Sequence, residues 1–313
     1  MLRVASIILG IAVVAVLVQA LRRDGPGALE AWQAARIHWG FMAFAIACGF
    51  AGHGTYLLGW RRLLRDSEIK VSLWPLAKMF LVSNLGRYLP AGKAWQMGIV
   101  GIMAAEYGLP ATPLAASSLL QGIVGVGAGA IVLLVTGGAT VGLPIAWLAL
   151  PSAGIIGMLI APAIIRRIPP LRAIIVRHVH GVDGITTATM WALVWTSVVS
   201  WLLWGLALYS LGSALLPTAG APLISYVAAW SGSFLAGLIA VVSPAGLGAR
   251  EGVMQVVLEK GGMTATAALL VVVVARAWIT LMDVVPALAV LAFRRRPGTM
   301  AHSSSRASSE TVE

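Results

Sequence analysis

Three cations sit where an otherwise apolar chain is interrupted. Arg87 precedes and Lys93 follows the tripeptide Pro90-Ala91-Gly92, and Arg250 follows a second Pro-Ala-Gly inside Val242-Ser243-Pro244-Ala245-Gly246-Leu247-Gly248-Ala249-Arg250-Glu251-Gly252. Proline has no amide hydrogen and biases the residue before it away from helix, while glycine accepts positive φ, so each tripeptide ends one helix and lets another begin. The first helix should arrive from Trp74 and its successor should start near Lys93. In a bilayer, backbone freed in this way is tolerated only when buried in protein or lining a watery cavity. The N-terminus of the new helix is an anion site. A cation at the middle of a span costs roughly 2.5 to 3.5 kcal/mol, so Arg87, Lys93 and Arg250 need a counter-charge or a cavity. A phosphate supplies charge and acceptors together. The competing reading is structural, with Arg250 paired to Glu251 or Glu259 and Lys93 snorkelling to the interface.

Other residues of chemical interest are fewer. Arg276 and Asp283 lie seven positions apart on one face of the last apolar run; they either pair with each other or leave Asp283 as a coupling carboxylate for protons. Trp95 follows the first break closely and is placed to touch an acyl or prenyl chain, whereas Trp60, Trp74 and Trp147 fall at span ends as an aromatic belt does. Glu106 reads as interfacial. Gly125 and Gly129 form a small-residue face for close helix packing, and His53 reads as a packing residue. Cys48 is the single cysteine, so no internal disulfide exists. His178 and His180 lack a completing ligand cluster, so they read as part of a solvated basic loop. No metal site, cofactor or catalytic constellation is expected.

These residues need a membrane frame. Of 313 residues, 59% are hydrophobic and 11% charged, which is the composition of a polytopic helical membrane protein. The net charge of +11 does not signal nucleic acid, because the cations cluster at the ends of apolar runs. Spans are expected at 4–21, 39–60, 112–135, 143–165, 189–211 and 263–293, with the broken segments at 73–104 and 222–260. If each broken segment is a re-entrant hairpin and the N-terminus is inside, the basic stretches 61–70, 166–180 and 294–296 are all cytoplasmic. The uncharged loops 137–142 and 212–221 are then external. Arg22, Arg23 and Arg36 dissent. Eight full spans are the alternative, because 222–242 is long enough to cross. The Ser-rich 297–313 reads as a disordered cytoplasmic tail.

The chain then divides into halves, 1–136 and 143–296, within one membrane domain 1–296. Each half reads span, span, hairpin, span, and the two enter from opposite faces. Pro90 and Pro244 are 154 positions apart, Trp39 and Thr189 150, and Thr112 and Met263 151. Inverted repeats with paired broken helices build a midplane site reachable from either face.

The two broken segments resemble the signature regions of the lysylphosphatidylglycerol synthase transmembrane family, a flippase-like domain. The resemblance runs roughly from Trp39 to Arg296 and rests on P-x-G followed by a basic residue and an aromatic, then P-x-G-x-G-x-R-E-G. It implies a lipid-translocating protein of the cytoplasmic membrane, here a stand-alone member without the soluble aminoacyl-transfer domain, and leaves the lipid unnamed. The expected partners are the bilayer and a phosphate-bearing lipid headgroup, with no nucleic acid. The residues expected at the headgroup are Arg87, Pro90, Gly92, Lys93, Trp95, Pro244, Gly246, Gly248, Arg250 and Glu251. Two rivals stand beside a transporter that is no enzyme. One is a membrane-embedded transferase using a lipid-linked donor, disfavoured by the lack of a D-x-D carboxylate pair. The other is a non-transporting scaffold for a cell-envelope enzyme.

Overall fold

The structure is a computed structural model that describes residues 37–89, 92–141, 185–216, 220–239 and 248–292, with the isolated residues 27, 30 and 246. The described chain is helical. In order it forms α1 (Trp39–Asp66), α2 (Leu73–Asn84) running into a 3-10 turn (Leu85–Tyr88), α3 (Gly92–Glu106), α4 (Ala111–Val141), α5 (Thr187–Leu215), α6 (Leu223–Ile239), α7 (Ala249–Lys260) and α8 (Ala265–Ala292). At 1.5 Å per residue the 28 residues of α1 or α8 reach about 42 Å, well beyond the ~30 Å of hydrocarbon. The chain is a multi-pass membrane protein, and α1, α4, α5 and α8 are long and apolar enough to cross. They coincide with four of the expected spans. The expected spans 4–21 and 143–165, the loop 166–180 and the tail 297–313 lie outside the described residues, as do Pro90 and Pro244.

Helix ends depart from the expected span ends for a simple reason. Span ends follow membrane thickness, whereas helix ends follow breakers and caps. Thus α1 continues to Asp66, and α4 continues through Gly137 to Val141, where an external loop was expected. Pro217 follows the end of α5 at Leu215, and a proline restricts the residue before it to extended backbone.

The longest packing interface is between α1 and α5, which run antiparallel along their whole length. The His38 amide donates to the Ala214 carbonyl at one end (3.0 Å). Ser200 Oγ donates to the Gly52 carbonyl in the middle (2.9 Å), and Asp66 accepts from the Thr186 and Thr189 hydroxyls at the other end (3.1 and 2.5 Å). Close approach needs glycine here, since a Cβ on Gly52 would sit 2.7 Å from the Trp204 indole nitrogen.

Each short helix pair folds back to the end from which it started. The end of α1 (Trp60, Leu64), the start of α2 (Leu76, Met79), the end of α3 (Met103, Ala104) and the start of α4 (Leu114) share one apolar cluster. Trp60 Nε1 donates to Ser117 Oγ across it (2.8 Å). The second pair closes in the same way. A Cβ on Gly261, after α7, would lie 2.7 Å from Ser225 Oγ, within the start of α6, and 3.1 Å from Ala221 Cβ, just before it. Tyr226 donates to Met263 Sδ (3.7 Å) and meets Tyr209 of α5 edge to face. That mouth lies beside the end of α5, which His38 ties to the start of α1. The mouths of the two hairpins therefore lie at opposite ends of the α1/α5 pair, and their tips point toward each other.

Candidate functional site at the hairpin tips

The first tip is held by α8. Arg87, on the 3-10 turn, places Nη1 3.2 Å from Asp283 Oδ2 and donates from Nη2 to Asn84 Oδ1 (3.0 Å). Tyr88 donates its phenol to the same carboxylate (2.8 Å), and His53 Nε2 lies 3.9 Å from its other oxygen. Asp283 is 1% exposed. The turn itself depends on Gly92, where a Cβ would press to 2.9 Å from the Arg87 Cα.

The second tip carries the opposite polarity at α8. Glu251, in the first turn of α7, accepts from the Gly248 amide (2.5 Å) and pairs with Arg276 of α8 (3.3 Å). Gly246 and Gly248 both have positive φ, +68° and +83°, which only glycine adopts readily. Arg250 is buried at 7% exposure, packed against Gly237 and Gly246, with its guanidinium carbon 4.8 Å from the centre of the Phe234 ring. Its Nη2 has no hydrogen-bond partner among the described residues. Arg87 and Arg276 act on it as like charges, Glu251 and Asp283 as counter-charges. Three guanidiniums against two carboxylates leave one positive charge in excess among these side chains.

Of the two readings of Arg276 and Asp283, the one that pairs them with each other is therefore replaced. Seven residues apart on one helix face, each reaches a different hairpin instead, because the tips bring their own partners of opposite sign. The competing reading, in which Arg250 pairs with Glu251 or Glu259, is not what these side chains do. Glu251 is engaged by Arg276 and Gly248, and Glu259 accepts from Gln255 (2.8 Å). The Gly248 amide, expected at a lipid headgroup, is occupied by Glu251. Trp95, in the first turn of α3 with its main chain against Gly86 of the first tip, is 52% exposed, and the Lys93 side chain lies outside the described residues.

Beside the first tip is a cavity of about 140 Å3, with Arg87 on its wall and walls from both hairpins and the long helices. Its aromatic lining includes Tyr56, Phe80, Trp201, Trp204, Trp230 and Phe234. Trp204 stacks on Trp230 at 4.9 Å and 2°. His53 stands edge-on between Trp204 and Phe80, so a residue read from sequence as packing is both packed and part of the wall. Gly125 and Gly129 do provide close packing, but for rings rather than another small-residue helix: Tyr56 lies over the first and Trp201 over the second.

Sequence reasoning missed Tyr88, Asn84, Gln121 and Ser197. The signal was available for Gln121 and Asn84, since a lone amide within an apolar run is costly unless it faces the protein interior. Tyr88 and Ser197 carry no such mark.

The model of the lysylphosphatidylglycerol synthase TM region matches residues 7–287, which takes in both hairpins, α1, α4, α5 and α8 as far as Ala287, Asp283 included. The chain belongs to this family. Among curated proteins no match is found. In this member of the lysylphosphatidylglycerol synthase TM region family, α8 ties both hairpin tips, through Asp283 to Arg87 and through Arg276 to Glu251.

Proposed function

We propose that the protein is a flippase-like transporter that carries an anionic, phosphate-bearing lipid across the cytoplasmic membrane, and that it is not an enzyme. Six spans and two re-entrant hairpins make up its inverted halves, and both termini are cytoplasmic. Several features support the repeat. Helix starts pair as Trp39 with Thr187, Leu73 with Leu223, Gly92 with Ala249 and Ala111 with Ala265, offsets of 148, 150, 157 and 154. Packing partners also exchange between halves: α3 on α4 matches α7 on α8, α6 on α4 matches α2 on α8, and α1 on α2 matches α5 on α6. Equivalent helices α1 and α5 run antiparallel, as halves inverted in a membrane must. None of the short helices α2, α3, α6 and α7, at 12 to 17 residues, reaches the ~30 Å needed to cross alone.

The observation that carries the reading is Arg250, a buried guanidinium with an open donor at the meeting point of hairpins entering from opposite ends. A lipid phosphate arriving from either face would take that donor and neutralise the excess charge. Charge-assisted hydrogen bonds of this kind contribute about 1.5 to 3 kcal/mol each. Moving the tips relative to α8 then opens the site to one face or the other, with Asp283 proposed as the coupling carboxylate. The family description names a synthase, and this chain corresponds to its membrane part.

The test is the affinity of purified protein for short-chain phosphatidic acid in detergent. Arg250→Ala is expected to weaken binding at least about tenfold, the loss of one such bond. Arg250→Lys keeps the charge without the planar fork and should fall between, while Arg172→Ala should change nothing. A sharp drop in melting temperature for Arg250→Ala with unchanged affinity per folded molecule would make the arginine a structural residue and end the proposal.

A further inference from the structure

Four side chains on the wall of the 140 Å3 cavity are more than nine-tenths buried and keep a polar atom with no hydrogen-bond partner among the described residues. They are His53 (Nδ1), Asn84 (Nδ2), Gln121 (Oε1) and Ser197 (Oγ). Buried polar atoms are normally satisfied, and leaving one unmade costs about 1 to 3 kcal/mol. Four around one cavity point to a ligand that completes them.

Their chemistry restricts that ligand. Asn84 Oδ1 accepts from Arg87, which can only donate, so the amide orientation is fixed and a donor remains open. Gln121 Nε2 donates to the Tyr56 carbonyl (3.4 Å), which can only accept, so an acceptor remains open. Ser197 offers both. A phosphate oxygen cannot serve Gln121, and an ammonium cannot serve Asn84, whereas a hydroxyl group serves each.

Charge and shape narrow it further. Among the described residues no Asp or Glu lines the cavity, and Arg87 does. Aromatic walls can hold an ammonium through the ring face, but the Phe234 ring already carries Arg250, so a second cation would meet both guanidiniums. The Trp60 and Trp201 indole N–H groups are bonded to Ser117 and the Gly125 carbonyl, leaving those rings to offer apolar surface. An engineered apolar cavity of about 150 Å3 takes up benzene, so this one admits a single six-membered ring. One ring with hydroxyls at its edge and C–H bonds on its faces fits both the open donors and acceptors and the indole walls.

Building on the phosphate site proposed above, we infer that the headgroup is a phosphate ester of one neutral polyhydroxylated ring, the phosphate at the Arg87 and Arg250 end and the ring in the aromatic cavity. A cationic aminoacyl headgroup is disfavoured by the same wall. The substrate class is a polyol or glycosyl phospholipid.

The experiment compares dihexanoyl phosphatidylinositol, phosphatidic acid and phosphatidylethanolamine, with inositol 1-phosphate as the lipid-free probe, in a polyoxyethylene detergent that brings no sugar. Phosphatidylinositol should bind at least about tenfold tighter than phosphatidic acid, the sum of two ordinary neutral hydrogen bonds. Ser197→Ala, which breaks no bond in the free protein, and Gln121→Leu should each reduce that ratio to about threefold or less while leaving phosphatidic acid affinity unchanged. Equal binding of the two lipids, tighter binding of phosphatidylethanolamine, or variants that weaken both lipids alike would overturn the polyol assignment while leaving the phosphate site standing. Failure of phosphatidic acid and phosphatidylinositol alike would overturn both readings. Inositol 1-phosphate binding as tightly as its lipid would show a solute site and overturn the headgroup assignment.

Discussion

The two hairpins use the same break to opposite electrostatic ends. In the first, the cation Arg87 sits before the break and is clamped by an acid of α8, Asp283. In the second, the acid Glu251 sits after the break and is clamped by a cation of α8, Arg276. A single helix thus ties both tips through residues two turns apart. The close contacts differ in kind as well. A Cβ on Gly86 would strike main chain, 2.8 Å from the Gln96 amide nitrogen, whereas one on Gly237 would strike the flexible stem of Arg250. Gln96 and Arg250 are 154 positions apart, the spacing of Pro90 and Pro244. One half therefore fills this place with a neutral amide, the other with a buried cation. Among the described side chains at the tips, the excess positive charge then lies on the second hairpin and the open neutral donors and acceptors beside the first.

The largest expected effect is all-or-none and concerns the two mouths. Glu106 ends α3 and Lys260 ends α7, and both side chains are exposed. In a Cys48→Ala background, Glu106→Cys should react with an impermeant thiol reagent only from the cytoplasmic side and Lys260→Cys only from outside. Labelling of both from one side would remove the inversion.

Next comes the contrast between the clamps. Asp283→Ala strands Arg87 and the Tyr88 hydroxyl, and removing one partner of a buried pair costs about 3 to 5 kcal/mol, enough to lower the melting temperature sharply. Arg276→Ala should cost clearly less, because Glu251 keeps the Gly248 amide. Equal losses would mean that α8 holds the two tips equivalently.

The smallest effect sharpens the packing contrast. Gly86→Ala forces backbone apart and should cost about 1 to 3 kcal/mol of stability, with affinity for phosphatidic acid per folded molecule nearly intact. Gly237→Ala can be absorbed by swinging Arg250 away, so thermal stability should hold while affinity falls several-fold. The reverse pattern, measured by melting and lipid titration, would place the binding cation elsewhere.

Much of this arrangement is legible in the chain. Apolar runs mark the long helices, because the bilayer dictates them, and each Pro-Ala-Gly falls in the sequence between two short helices, because no regular helix accommodates it. The partners across the site are not legible. Nothing in the spacing of Arg276 and Asp283 distinguishes a pair with each other from two pairs with separate hairpins; that depends on which tip residues arrive opposite each turn of α8. The cavity wall is harder still, since Ser197 and His53 are ordinary residues for tightly packed spans until rings from four helices surround the cavity they line.

The central claim is that a buried, open-handed Arg250 receives a lipid phosphate from either leaflet. It is tested most directly in proteoliposomes containing phosphatidic acid labelled on a short acyl chain with a dithionite-quenchable fluorophore. Wild-type protein should move inner-leaflet label into the quenchable pool, whereas Arg250→Ala, matched in melting temperature and reconstitution, should do no better than protein-free liposomes. Translocation by Arg250→Ala at the wild-type rate would contradict the account.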